Sequence, residues 1–188
     1  MKSSYVNYYQ LQKIFDEAEK NENYRKLLSA SLEIIPFIAS KKASDLDKEK
    51  IEKVYEYTCN YLSVLQEEDE LKNIKRLSSR LPYSEKIIKE SESALEKIDI
   101  VKEIYEYINQ NPKITRQDIY EHFDVPQNTI DEILNYSLQI GKVNKTDTEN
   151  LKINKSLSCK EIFTNYVFKK SSGENIIKRG LKRIKNLF

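Results

Sequence analysis

The chain has 188 residues, a formal net charge of +2 and a mean hydropathy of −0.69, with 39% apolar and 33% charged residues. That is enough apolar content for one medium or two small cores, and with only three Gly and four Pro it favours long helices over a turn-rich β-sandwich. No run of ~18 apolar residues supports a transmembrane helix, the N-terminus lacks the apolar core of a secretory signal, and one His (His122) with two distant cysteines (Cys59, Cys159) makes no metal site. These features predict a cytoplasmic protein with free thiols.

The net charge is unevenly spread. Lys169, Lys170, Lys178, Arg179, Lys182, Arg183 and Lys185 face one acid, Glu174, in the last twenty residues. That stretch carries +6, so the other 168 residues carry −4 against the total of +2.

In chain order, residues 4–20 predict a helix with Tyr8, Leu11, Ile14, Phe15 and Ala18 on one face. A second runs from about Tyr24 to Ser40, with Pro36 kinking or ending it. Ser44 and Asp47 read as the start of a third helix, whose stripe is Ile51, Val54, Tyr55, Thr58, Leu62 and Leu65. The acidic cluster Glu67–Glu70 reads as a turn before a short helix at Leu71–Leu77. Pro82 breaks the pattern, and Ser84 can cap the next helical segment. Ile87, Ile88, Leu95, Ile98, Val101, Ile104, Tyr105 and Ile108 then belong to one long helix or to two.

Asn111–Pro112 closes that run. In Ile114–Val143, Thr115 and Asp118 stand at capping-box positions. Ile119 and Phe123 mark the inner face of a first helix, Val125 a turn, and Ile130, Ile133 and Leu134 the inner face of a second. Gly141 stands where a left-handed terminal residue is wanted. Lys142–Thr146 and Leu151–Lys155 can pair as a hairpin with its tip at 147–150. Ser158 and Glu161 form another capping signature. A Ser171–Gly173 hinge then precedes a stripe of Ile177, Leu181, Ile184 and Phe188 among basic residues, interrupted by Gly180.

The segment Ile114, Thr115, Arg116, Gln117, Asp118, Ile119, then Val125, then Thr129, Ile130, Leu134 and Gly141 resembles the helix-turn-helix of winged-helix DNA-binding domains. The resemblance covers residues 98–155. Together with the helical stripes on either side it gives a mainly α protein: a helical N-terminal region (1–97), a possible dimerisation or partner-binding part, a winged helix-turn-helix (98–155) with a small hairpin wing, and a C-terminal helical extension (156–188). The sequence departs from the pattern at Tyr120, Asp124 and Ser137, where a small residue, a Gly and an apolar residue are usual.

The resemblance implies double-stranded DNA as partner, a homodimer, and a role in transcription regulation. Gln127 and Asn128 have the amides that pair with adenine edges, and Thr129 the methyl that meets thymine. Arg116, Lys142, Lys145 and Lys152 are the candidate phosphate contacts, joined by Lys178, Arg179, Lys182 and Arg183 of the basic tail. Against this, the second helix has no Lys or Arg and shows Asp131 and Glu132, and residues 99–155 hold seven basic against ten acidic residues. The alternative is a protein-interaction adaptor that presents this acidic helix or its N-terminal helices to a partner. A basic amphipathic tail can also lie on an anionic membrane, the least expected role. The tyrosines, Tyr55, Tyr57 and Tyr61 among them, read as core or interface rather than a stacking platform for single strands. No catalytic residue and no cofactor is predicted: His122 has no nucleophile nearby, and no Gly-rich phosphate loop exists.

Overall fold

A computed structural model describes residues 8–38, 48–79, 85–146, 149–158 and 160–162. The helix starts expected at Ser44 and Ser84, the break at Pro82, the wing tip at 147–148, Cys159, the 171–173 hinge and the basic tail with Lys178, Arg179, Lys182 and Arg183 lie outside the described residues.

The elements are α1 (Tyr8–Lys20), α2 (Tyr24–Ile38), α3 (Lys48–Val64), α4 (Glu68–Ser78), α5 (Glu85–Gln110), α6 (Arg116–His122), α7 (Gln127–Ile140), β1 (Val143–Lys145) and β2 (Leu151–Ile153). This is the expected mainly α protein with a helix-turn-helix and wing. The strands pair antiparallel, with Val143 opposite Ile153 and Asn144 opposite Lys152. A helical turn begins again at Lys160, where Ser158 Oγ accepts from the Glu161 N–H at 3.3 Å.

Three helices end in the same way. At α1, α3 and α7 a residue with positive φ reverses the chain: Glu22 (52°), Gln66 (63°) and Gly141 (78°). In each case the next N–H bonds back across the turn, Asn23 to the Ala18 carbonyl, Glu67 to Leu62 and Lys142 to Ser137, so late carbonyls keep a partner. Asn23 then accepts from the Lys26 N–H at 3.2 Å and caps α2. Both interhelical turns are therefore tight and directional, without glycine.

One expectation needs correction. The acidic cluster is not a turn: Glu68, Asp69 and Glu70 form the first turn of α4, and Lys75 and Arg76 its last. Carboxylates at the positive helix end and cations at the negative end both favour this extension. Pro36 lies within α2, which is described as far as Ile38.

The long apolar run is one helix. α5 spans 26 residues and buries Ile87, Ala94, Ile98, Val101, Ile104, Tyr105 and Ile108. It packs on α3 and α4 and, further along, on β2. Position 97/98, expected as a domain boundary, therefore falls inside a continuous helix. The core is likewise continuous, running from Phe15, Leu28 and Ile34 through Tyr55 and Leu62 to Ile130, Leu134 and Val143.

Candidate nucleic-acid interface

The helix-turn-helix is built by local chemistry. Thr115 caps α6: its hydroxyl accepts from the Asp118 N–H, and the Asp118 carboxylate accepts from the Thr115 N–H at 2.7 Å. The Thr115 hydroxyl, which donates to the same carboxylate at 2.7 Å, and then the Thr115 N–H hold the Asp118 pKa below its ordinary value. Ile119 is buried, whereas Phe123 and Val125 are only half-buried at the rim. The Phe123 ring meets Tyr107 edge-on at 5.6 Å. His122 stacks on the same tyrosine at 3.8 Å with planes 7° apart, so its ring is a packing surface. Pro126 is the N-cap of α7 and has no side-chain bond to give; its carbonyl accepts from Thr129 and Ile130.

The candidate readout residues sit at that N-terminal turn. Gln127 and Asn128 are exposed, and Thr129 is half-buried. Asn128 Oδ1 accepts from the Thr129 N–H at 3.0 Å. The candidate cations are in varied states. Arg116 donates to Asp131 at 2.8 Å and to Asn135 at 2.9 Å, so it braces α6 on α7. Tyr120 donates to the same Asp131 oxygen. Its large side chain, unusual at that position, thus has a local partner. Lys142 donates to the Leu157 carbonyl at 2.9 Å, and burial lowers its pKa. Lys145 pairs with Glu149 at 2.7 Å. Lys152 is exposed beside Asn144 on the outer face of the wing and makes no ion pair among the described residues.

The N-terminal helices lie alongside α7. Tyr61 donates to Gln139 at 3.1 Å, and its ring meets Tyr136 edge-on at 5.2 Å. Tyr57 stacks on Tyr61 at 6.1 Å, and Tyr24 approaches from α2 at 6.2 Å. Burial pushes the Tyr57 and Tyr136 hydroxyls up to about 12. Lys97 of α5 pairs with Glu132 at 2.8 Å. Arg25 of α2 donates through Nε to the Ile140 carbonyl at 2.8 Å, placing a cation on the negative end of α7. Deeper, Tyr105 of α5 donates to the Val64 carbonyl at 2.8 Å and lies 2.6 Å from Ser137 Oγ, which explains a serine at a usually apolar position.

The outcome for α7 is asymmetric. Its C-terminal half is walled by α3, and its carboxylates are matched by Arg116 and Lys97. An open cleft of about 500 Å³ remains between α3 and α7, lined by Tyr57, Asn128, Asp131, Asn135, Tyr136 and Gln139 among others. Sequence reasoning missed Lys97, Tyr136 and the contribution of α3. The one local signal was the spacing of Tyr57 and Tyr61, four apart on a helix and so on one face. Among the described residues no group of His, Cys, Asp and Glu could hold a metal, and no helix is long and apolar enough to cross a membrane. Cys59 is a free, buried thiol, its pKa pushed up to about 12 by burial.

Residues 100–166 match the family of FeoC-like transcriptional regulators, a span that runs from the middle of α5 to just past the wing. No curated protein and no solved structure matches the chain. The matched part is a winged-helix module similar to those regulators.

Proposed function

We propose that this chain, similar over residues 100–166 to FeoC-like transcriptional regulators, is a non-enzymatic regulator that binds double-stranded DNA. The first turn of α7 enters the major groove, where the amides of Gln127 and Asn128 pair with base edges and Thr129 offers its methyl group. The wing brings Lys145 and Lys152 to the phosphates, and Lys178, Arg179, Lys182 and Arg183 add sequence-independent contacts. The observation that carries this reading is the exposed Gln127–Asn128 pair at the unobstructed end of α7. Arg116 and Lys142 take a supporting part, because each already serves an internal acceptor. A cytoplasmic homodimer binding two half-sites accords with the reading, and sedimentation of the full chain with and without duplex tests it.

The primary test is duplex binding at two salt concentrations, for the full chain and for a full-length variant with Lys178, Arg179, Lys182 and Arg183 changed to Gln. The expected result is tight binding at low salt and a shallower salt dependence for the variant. No binding by the full chain at low salt overturns the proposal. A second reading is a protein-interaction adaptor using the α3–α7 cleft. The pairing of Asp131 and Glu132 with Arg116 and Lys97 favours it, since it occupies two cations beside α7, which has no Lys or Arg of its own for phosphate.

A further inference from the structure

The cleft between α3 and α7 has a chemistry that neither a phosphate backbone nor an apolar helix suits. Along α7, Asn128, Asp131, Asn135 and Gln139 recur at intervals of three or four residues, so they form one row about 16 Å long at 1.5 Å per residue. Tyr57 faces this row from α3. Each carboxylate in the cleft has acceptor capacity to spare. Asp131 uses Oδ1 for both Arg116 and Tyr120, and Glu132 uses Oε1 for Lys97. Oδ2 and Oε2 accept no hydrogen bond among the described residues, although a carboxylate offers about four lone-pair sites. The charges acting on the Tyr136 hydroxyl beside them are the carboxylates Glu56, Glu132 and Glu90. The amide oxygens of Asn128, Asn135 and Gln139 already accept from Thr129, Arg116 and Tyr61, so the spare Asp131 Oδ2 and Glu132 Oε2, with Glu56 and Glu90, are what suits a segment rich in Lys and Arg.

We propose that the α3–α7 cleft is the docking site of the chain's own basic segment, residues 169–188. Charge complementarity selects it: that segment carries +6 and the remaining 168 residues −4. Tethering selects it again. The described chain ends at the buried Ile162, shortly after Leu157, whose carbonyl accepts from Lys142 next to the C-terminal end of α7. Lys169 stands seven positions after Ile162, a reach of up to ~25 Å for an extended chain. A tether of that length holds its ligand at an effective concentration of order millimolar, which a free partner of similar charge must exceed. Docking itself needs no nucleic acid. If the proposed duplex binding holds, DNA and the cleft compete for the same cations, and the segment restrains binding until phosphate displaces it.

Zero-length carbodiimide cross-linking of the dilute full chain, read by mass spectrometry, tests the docking. The expected products join Asp131, Glu132, Glu56 or Glu90 to Lys178, Lys182 or Lys185, and they fade at high salt. Cross-links scattered evenly over the acidic residues, or none to the cleft, overturn the proposal. So do products that join isotopically heavy to light chains in a mixed sample, which would mean that a second copy supplies the segment. Independently, the full-length variant with Lys178, Arg179, Lys182 and Arg183 changed to Gln is expected to shift the side-chain amide NMR signals of Asn128, Asn135 and Gln139. Unchanged signals overturn the docking. Excess duplex separates the two ideas: cleft cross-links that persist beside it support docking and count against duplex binding, whereas bound duplex with no cleft cross-links in its absence overturns docking alone.

Discussion

The guanidinium of Arg25 occupies the space that a side chain on Gly141 would need. A Cβ there would lie 2.4 Å from Arg25 Nη2, while Arg25 Nε donates to the adjacent Ile140 carbonyl. Gly141 thus answers two demands at once, a φ of +78° and the close approach of a cation from α2. The left-handed turn after α7 and the seating of the N-terminal helices on it are a single joint.

Gly141→Ala is therefore expected to destabilise the protein by more than the ~1–2 kcal/mol of a left-handed non-glycine residue, because the methyl group also displaces Arg25. Urea unfolding of Gly141→Ala, Arg25→Ala and the double variant checks this. The double variant should be more stable than the sum of the single losses implies, since removing Arg25 relieves the collision. Simple additivity would count against the joint.

Tyr105 and Ser137 form the second such joint, deep in the core. Two hydroxyl protons serve three contacts there: Tyr105 to Val64, Tyr105 with Ser137, and Ser137 to the Ile133 carbonyl. Tyr105→Phe leaves the buried Val64 carbonyl without this donor and is expected to cost about 1–3 kcal/mol. Far-UV circular dichroism in urea measures it. Ser137→Ala should cost less, because Tyr105 keeps its bond to Val64.

Stability should fall as pH rises through neutrality. Burial pushes the Glu33 carboxyl up from 4.5 to about 7, and Glu70 is raised in the same direction, chiefly by burial. Between the unfolded and folded pKa values the folded state holds the extra proton, so each unit of pH in that window weakens it. The window for Glu33 opens near 4.5 and closes near 7. Urea midpoints from acid to neutral pH should decline, and Glu33→Gln should flatten the decline. An equal slope in the variant would show that other groups carry it.

Asp131→Asn separates the two roles of α7. It removes a carboxylate from the face offered to a groove and loosens the hold on Arg116. Under the proposed duplex binding, affinity at low salt should rise several-fold, and the salt dependence should steepen by about one phosphate contact. Fluorescence anisotropy with a labelled duplex reads both. A drop in affinity would instead mean that Asp131 positions α7 for binding.

The range of each interaction decides whether the sequence discloses it. The Thr115–Asp118 capping box, the αL residue at Gly141 and the stripe of α5 are set by residues within four or five positions, and all were legible. So was the pairing of β1 with β2 across a short tip. The Arg116–Asp131 bridge spans 15 residues, and Tyr61–Gln139 spans 78. Such pairs depend on how helices are oriented, which periodicity does not encode. The acidic charge of α7 is legible in the sequence, whereas its pairing with Lys97 and Arg116 is not. Whether the run across residue 97 is one helix or two was likewise open in the sequence, and α5 is one.

That helix has a mechanical consequence. At 26 residues α5 is a rod about 39 Å long. α4 grips its flank, and β2 grips it on the wing side. No hinge lies between, so the wing cannot swing against the N-terminal bundle as a bead on a string. Heat should melt both together in one calorimetric peak, and a tilt imposed at either end of the rod is delivered to the other.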